Sequence, residues 1–524
     1  MAFTSMFIGA TGLVAHGRGM GVIGNNLANV STTGYKRADT LFETLISQQM
    51  ANGSNPRGDT AVHVSQKGMG VGVAAVKTCF LQGSFEASTT ATDLAIGGNG
   101  FFGVTDPSDG SMHYTRAGVF RFDREGYLLT PQGYRVMGGA VDRETGEVGS
   151  GEEVRLPYRD IEINGETVPA IISDPRATTG ITLNVNLDYA TGDGIADATD
   201  PFFAMAKSWN GLQEQPLSNA EGYSTAIKVY DEEGTARELT VHFDRVGSSS
   251  MTSGVGGRSY WEYIVTLPPD QDGSAAAGTS GAGLVGMGVL TFNRFGELIG
   301  QTSYGIADGG DPKVLSNWTP AAFNADGVPT LDVTFDSGET QTISLNFGLT
   351  TSSASWAGPM ASSAAGVGTS APLLGNMANP DKDAYSTTNY TWGSATLVAQ
   401  QDGYAEGYLR GLNVDTNGYV VGQFTNGQSE NLFQISLYRF NSEYGLRREG
   451  GNLFSESKES GSAIEGVAQQ DGRGVVYGNT LEASNVDMAD QFAHLILTQR
   501  GFQSNTKVIT TSDSILNTTI QIKR

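Results

Sequence analysis

Gly19–Gly24, GMGVIG, carries the G-x-G-x-x-G spacing that lets a backbone approach a pyrophosphate. Asp39 follows Gly19 by twenty residues, where a ribose-binding acid belongs. That chemistry also needs a strand before the glycines and a helix opening at them. Here nothing strand-like precedes, and the glycines fall inside an apolar series of period seven, so no cofactor is expected. His16, His63, His113, His242 and His494 lack a ligand partner at i+3 or i+4, so no metal site is expected. The acidic turns PDQDG (269–273) and DPSDG (106–110) lack the calcium-loop pattern and read as plain turns. Neither a G-x-S-x-G elbow nor a P-loop occurs. Asn29, Asn317, Asn389 and Asn517 head Asn-x-Ser/Thr triplets, which chance explains in a chain rich in these residues. Cys79, the sole cysteine, reads as a small buried hydrophobe. No catalytic residue emerges, so the chain does not read as an enzyme.

The bulk composition points the same way. With 524 residues, several domains are expected. A net charge of −23 excludes the basic footprint that nucleic acid or an anionic membrane requires. Gly numbers 71, about twice the usual share, while only 17% of residues are charged, which suits β-structure with many turns. No apolar run is long enough to span a bilayer, so no membrane insertion is expected. The N-terminal stretch has no basic residue before Arg18 and does not read as a cleaved secretory signal.

Two helices are expected at the ends. Met6, Leu13, Met20 and Leu27 recur every seven residues, with His16, Ile23 and Val30 flanking, as do Leu481, Met488, Leu495, Phe502, Ile509 and Leu516. Such series form the seam of helices packed side by side. The second helix, roughly 484–520, would be about 55 Å long at 1.5 Å per residue. Gly9, Gly12, Gly17, Gly19, Gly21 and Gly24 weaken the first helix by roughly 1 kcal/mol each, yet allow close backbone approach. The termini are therefore expected to be disordered in the free monomer and ordered on assembly.

Between the ends the period changes to two. Residues 224–246 read as two strands about an Asp-Glu-Glu-Gly turn, and 260–268, 289–300 and 331–348 continue the pattern. The small-residue tracts 247–257, 273–288 and 351–371 read as loops. The fold class expected is multidomain α+β: terminal helices pairing as a coiled-coil-like inner domain, with all-β domains inserted between them.

Asn25–Lys36, NNLANVSTTGYK, lies where the first helix must stop. Its Asn, Ser and Thr side chains compete for backbone hydrogen bonds, and Gly34 supplies a turn with positive φ. Tyr35 is expected to bury its ring and keep its hydroxyl wet. An ordinary polar loop is the plain alternative.

This stretch resembles the signature of the bacterial flagellar rod and hook axial proteins. LAIGGNGFFGV (94–104), residues 114–138 (YTRAGVFRFDREGYLLTPQGYRVMG) and GYVVGQFTNGQ (418–428) resemble that family's β-regions. Residues 481–524, beginning LEASNVDMADQF, resemble its C-terminal helix. The long insertion at about 191–395, with NLDYATGD (186–193) before it and QQDGYAEGYLRGL (400–412) after it, favours the hook member. A distal rod or other axial protein of the group is the alternative; a secreted surface adhesin is the reading from another class.

The resemblance implies a structural subunit that polymerises into a curved, flexible tube and transmits torque as a universal joint. It implies an inner helical domain over 1–30 and 480–524 and a connector over 31–75. A first β-domain is implied over 76–190 and 396–470, and one or two outer β-domains over 191–395. Asn25, Asn26, Leu27, Ala28, Asn29, Thr33, Gly34, Tyr35 and Lys36 would form the connecting motif. It also implies an extracellular location, export through the flagellar type III apparatus without a cleaved signal, and no cofactor. The partners implied are other copies of the chain, the distal rod, the hook–filament junction protein and the hook cap.

Overall fold

The computed structural model describes residues 2–50, 65–142, 145–149, 151–163, 166–217, 222–247, 256–307 and 309–522. Residues 51–64 of the expected connector, His63 among them, and 248–255 of one small-residue tract lie outside the described residues. Three α-helices occur among the described residues: α1 (Ala2–Ala28), α2 (Ala204–Ser208) and α3 (Met488–Ile522). Everything else regular is strand or short 3-10 turn. The chain divides into two compact units, one built from 1–172 and 408–524, the other from 173–407.

In the first unit, α1 lies against α3, and the hairpin of Ala38–Thr44 with Val71–Thr78 follows α1. The helix boundaries have local causes. Asn29 Nδ2 donates to the Asn25 carbonyl at 2.8 Å, closing the last turn of α1. Asp487 Oδ1 accepts from the N–H groups of Ala489 (2.8 Å) and Asp490 (3.1 Å), so α3 starts at Met488. Leu481, expected on this helix, instead lies in the strand Thr480–Glu482, opposite Glu86. The aspartate cap corrects the helical range.

The strands of this unit tie the two halves of the chain together. Phe101–Thr105 pairs with Met112–Thr115 and Arg135–Ala140, and the latter pairs with Ser429–Ile435. Adjacent side chains on a strand point to opposite faces. Phe102 therefore enters a core with Leu94, Ile96, Val136 and Ile435, while Phe101 enters an aromatic cluster with Tyr114, Phe440 and Phe454.

The second unit is a six-stranded antiparallel meander, from Tyr223–Tyr230 to Trp318–Pro320, facing a four-stranded sheet that contains Gly180–Asn186 and Thr340–Asn346. The Asp-Glu-Glu-Gly turn falls between Tyr223–Tyr230 and Ala236–Arg245, with Gly234 at φ +79°. On the strand Ser259–Thr266, Trp261, Tyr263 and Val265 fill the space between the sheets. Tyr260 and Ile264 point the other way, against Phe202, Met205 and Trp209. The tract 273–288, expected as loop, ends inside the strand Leu284–Phe292. A Cβ at Gly288 would meet the Tyr263 hydroxyl at 2.5 Å, so packing space, not flexibility, selects glycine there. The tract 351–371 likewise places Ala364 and Val367 in a core.

Glu262 lies on the strand Ser259–Thr266 and is buried, accepting from the Met205 N–H at 3.1 and 3.3 Å. Burial pushes its carboxyl well above the usual range, with Asp244 and Asp193 adding repulsion and the amides of Met205 and Ala204 opposing. A folded-state pKa above the unfolded value, about 4.3, means that this group's contribution is complete below that pH and is lost as pH rises. All five tryptophans lie in this unit, so tryptophan fluorescence follows its unfolding alone. The unfolding midpoint is expected to fall as pH rises above the ordinary carboxylate range, and Glu262→Gln should flatten that fall.

Candidate functional site: the joint behind the terminal helices

The residues of NNLANVSTTGYK converge on one joint in the first unit. Asn26 is buried with both ends of its amide used. Its Nδ2 donates to the Ala38 carbonyl at 2.8 Å and to Gln491 Oε1 at 2.9 Å. Its Oδ1 accepts from the Ala38 N–H at 2.9 Å and from the Tyr35 hydroxyl at 3.2 Å. The Tyr35 hydroxyl also accepts from Asn25 Nδ2 at 3.1 Å, so it is bonded inside the joint, not left wet as expected. Buried ring and bonded hydroxyl are both satisfied locally. All these partners of Asn25, Asn26 and Asn29 lie within the chain.

Gly34 makes the turn between α1 and the strands. Its φ is +68°, and a Cβ there would stand 2.6 Å from the Ala117 backbone nitrogen. Its N–H donates to the Glu482 carbonyl at 2.7 Å. Only glycine meets both the left-handed conformation and the close approach. Asn452 Nδ2 donates to the Thr33 carbonyl at 2.9 Å, and the Arg448 guanidinium sits 5.1 Å from the Tyr35 ring centre while bonding the Lys36 carbonyl.

Lys36 and Glu482 lie at the centre of the joint with no exposed side-chain surface. Lys36 Nζ donates to Glu482 Oε1 at 2.6 Å and to the Leu81 carbonyl at 2.9 Å. Glu482 Oε1 also accepts from the Gly83 N–H at 2.9 Å, and Arg116 Nη1 stands 3.6 Å from Oε2. Two cations thus share one carboxylate. Burial pulls the Lys36 ammonium below its ordinary pKa, Glu482 opposes that pull and Arg116 adds to it. Arg116 is lowered by burial too, with Glu482 opposing. Asn485 completes the joint: its Oδ1 accepts from the Arg37 N–H, and its Nδ2 donates to the carbonyls of Cys79 and Leu81, each at 2.8 Å.

From the joint, α1 and α3 run side by side in opposite directions. Asn26 bonds Gln491, a Cβ on Gly19 would lie 3.6 Å from Thr498, and one on Gly12 would lie 2.5 Å from Asn505. Both sets step by seven residues. Between the last two rungs Gly501 meets His16, and beyond them Gly9 meets Ile509. The closest line of contact is therefore glycine against polar side chains, except at its far end, where Gly9 meets Ile509. Met6, Leu13, Met20, Leu27, Leu495, Phe502, Ile509 and Leu516 are half-buried beside it, and Met488 is exposed. Phe3, Phe7 and Val14 on α1, and Phe492, Leu497, Val508 and Ile515 on α3, are exposed. GMGVIG lies wholly within α1.

Sequence reasoning did not assign roles to Glu482, Asn485, Gln491, Arg116 or Arg448. Glu482 and Asn485 sit in the LEASNV segment already singled out, but nothing beside them in the sequence marks either as buried. Arg116, in YTRAG, offers no local sign of burial.

Removing one partner of a buried ion pair costs about 3–5 kcal/mol. Lys36→Met and Glu482→Met should each destabilise the first unit by this order in urea unfolding. Gly34→Val should lower its stability by about 2 kcal/mol or more, through both strain and overlap.

Comparison with known proteins matches four stretches. These are the Flagella basal body rod protein (residues 6–36), the Flagellar hook protein FlgE/F/G D1 domain (95–183), the Flagellar basal body protein FlaE D2 domain (208–404) and the Flagellar basal body rod FlgEFG protein C-terminal (478–522). The Flagellar hook protein FlgE of Treponema pallidum is 30% identical, with 99% of each chain covered. That of Borreliella burgdorferi is 31% identical, again with 99% of each chain covered. A solved structure, the Helicobacter pylori flagellar hook protein FlgE2, aligns with a TM-score of 0.41 at 16% identity, covering 75% of this chain and 98% of that one.

Proposed function

The chain belongs to the flagellar hook protein family and is a structural subunit of the hook, and we propose that it acts there as a universal joint, its terminal helices forming the inner layer of a tube. The observation that carries this reading is the pairing of α1 with α3 through a narrow seam that leaves apolar side chains of both helices facing outward. Large apolar side chains left in water are costly at roughly 25 cal/mol per Å². Neighbouring copies would cover them, so the helix pair gains most of its stability on assembly. Six glycines in the first 24 residues, of which Gly9, Gly12 and Gly19 lie against α3, suit termini that are disordered in the monomer and order in the tube.

In this reading Asn25–Lys36 passes torque between the helical layer and the strands. The Lys36–Glu482–Arg116 cluster keeps the two layers of one subunit from shearing apart, so bending is taken up between subunits. Self-association within the flagellar axis follows from the family. The distal rod, the hook–filament junction protein, the hook cap and the type III export apparatus are the further partners proposed. The tube would lie outside the cell after export without signal cleavage. No helix among the described residues is long and apolar enough to cross a membrane.

Electron microscopy of material sheared from cells tests this directly. Removing residues 488–522 should abolish tubes and leave a soluble protein with native tryptophan fluorescence. Leu495→Asp, on the half-buried line of α3, should do the same. Normal curved tubes from either variant would refute the inner-layer role. Labelling confined to the filament or to the rod would overturn the hook location.

A further inference from the structure

The meander of the second unit has two chemically unlike ends. One end gathers the turn at 231–234 and the segments 269–273 and 335–339, joined by the Asp336 N–H donating to the Gln271 carbonyl at 3.0 Å. Glu232, Glu233, Asp270, Asp332, Asp336 and Glu339 are exposed there. Arg237 counters them, bonding Asp336 at 2.6 Å and Asp231 at 3.3 Å. Glu232 shares a hydrogen bond with Glu339 and repels it, which holds the Glu339 carboxyl above its ordinary value. Acids crowded to that degree are relieved by an approaching cation.

The opposite end gathers 189–193, 257–259, 293–297 and 388–393. Ser259 Oγ donates to Asn389 Oδ1 at 2.7 Å, the Tyr189 N–H donates to the Tyr390 carbonyl at 3.3 Å, and a Cβ on Gly296 would lie 2.7 Å from the Tyr390 ring. Four aromatic side chains are exposed there: Tyr189 at 50%, Phe295 at 64%, Tyr390 at 40% and Trp392 at 60%. Arg245 stacks on Tyr189 and Arg294 on Phe295, each at 4.7 Å, and Arg258 is exposed beside them. Asp188, Asp193 and Glu297 share this end; Arg245 Nη1 donates to the carbonyls of Tyr189 at 2.6 Å and Thr191 at 3.0 Å and attracts Asp193, whereas Arg258 and Arg294 form no salt bridge among the described residues. Exposed Trp and Tyr rimmed by Arg are the composition of protein–protein hot spots.

We propose that the arginine and aromatic end of one copy docks on the acidic end of the next, joining second units head to tail in the tube. This rests on the reading of the chain as a polymerising hook subunit. A heterologous contact of this kind repeats without closing, as a helical polymer requires. Its charged half weakens with salt, since the Debye length is only about 8 Å at physiological ionic strength. Neighbouring second units are thereby held by contacts that re-form after displacement.

The test uses the full chain with Phe295→Cys and Glu233→Cys, assembled in cells and treated as isolated tubes with a bis-maleimide. Cys79 stays in place, and each single variant serves as control. A ladder of dimers, trimers and longer species from the double variant alone is expected. Dimers without longer species would mean a face-to-face contact and overturn the proposal, as would intact tubes with no cross-links. Binding of soluble glycans that Trp392→Ala abolishes, without a ladder, would assign the aromatic end to carbohydrate and likewise overturn it. If the unmodified chain forms no tubes, the hook reading itself fails and this proposal with it. Should the cysteine variant not assemble, charge reversal decides. Tubes of Arg258→Glu with Arg294→Glu should dissociate about tenfold faster, and adding Glu232→Lys with Glu339→Lys should restore the rate. Equal dissociation rates in all three would overturn the proposal.

Discussion

An ammonium and a carboxylate sealed from water 2.6 Å apart set the terms for the whole first unit. Lys36 comes from the exit of α1, Glu482 from the strand before α3, and Arg116 from the strand region between them. Neither charge tolerates solvent-free isolation, so the three segments must meet together or not at all. That requirement brings residues 446 positions apart to one point. It fixes where both helices leave the strands, and Gly34 is the residue whose backbone allows α1 to arrive there.

The seam between α1 and α3 follows from this anchoring. Once Lys36 meets Glu482, Asn26 is placed against Gln491, and each step of seven brings a glycine of α1 against a polar residue of α3. The Asn26–Gln491 hydrogen bond fixes register, since only one alignment brings the two amides together, while Thr498 and Asn505 bond carbonyls within α3 and fill the space the glycines leave. Glycines let the axes close but weaken the helix. The result is a pair defined in register yet short of apolar burial within one chain. Such a pair suits a subunit whose remaining stability comes from its neighbours.

How far the sequence disclosed this depended on the range of each interaction. The period of seven placed both helices, because a helical face repeats locally. Gly34 was legible as a positive-φ turn because its neighbours are turn formers. Leu481 continues the apolar series yet lies in a strand, because the Asp487 cap outranks periodicity. The Tyr35 hydroxyl was misjudged because its acceptor, Asn26, returns from the preceding helix. Gly286 and Gly288 looked like loop and are strand, since what excludes a Cβ there is Leu331, Thr302 and Tyr263 from elsewhere in the fold. Glu482 and Arg116 carry no local mark of burial; their partners are distant in sequence, and only the folded chain brings them together.

The joint is one closed unit, not a polar loop between independent layers. Hydrogen exchange in assembled tubes, read at the amides of Gly34, Ala38 and Gly83, separates the two. These amides donate to the Glu482 carbonyl, to Asn26 Oδ1 and to Glu482 Oε1, respectively. In a closed joint the three exchange together and as slowly as the amides of the strand Phe101–Thr105. Rapid exchange at the three sites, on the scale of exposed turns such as 106–110, would contradict it.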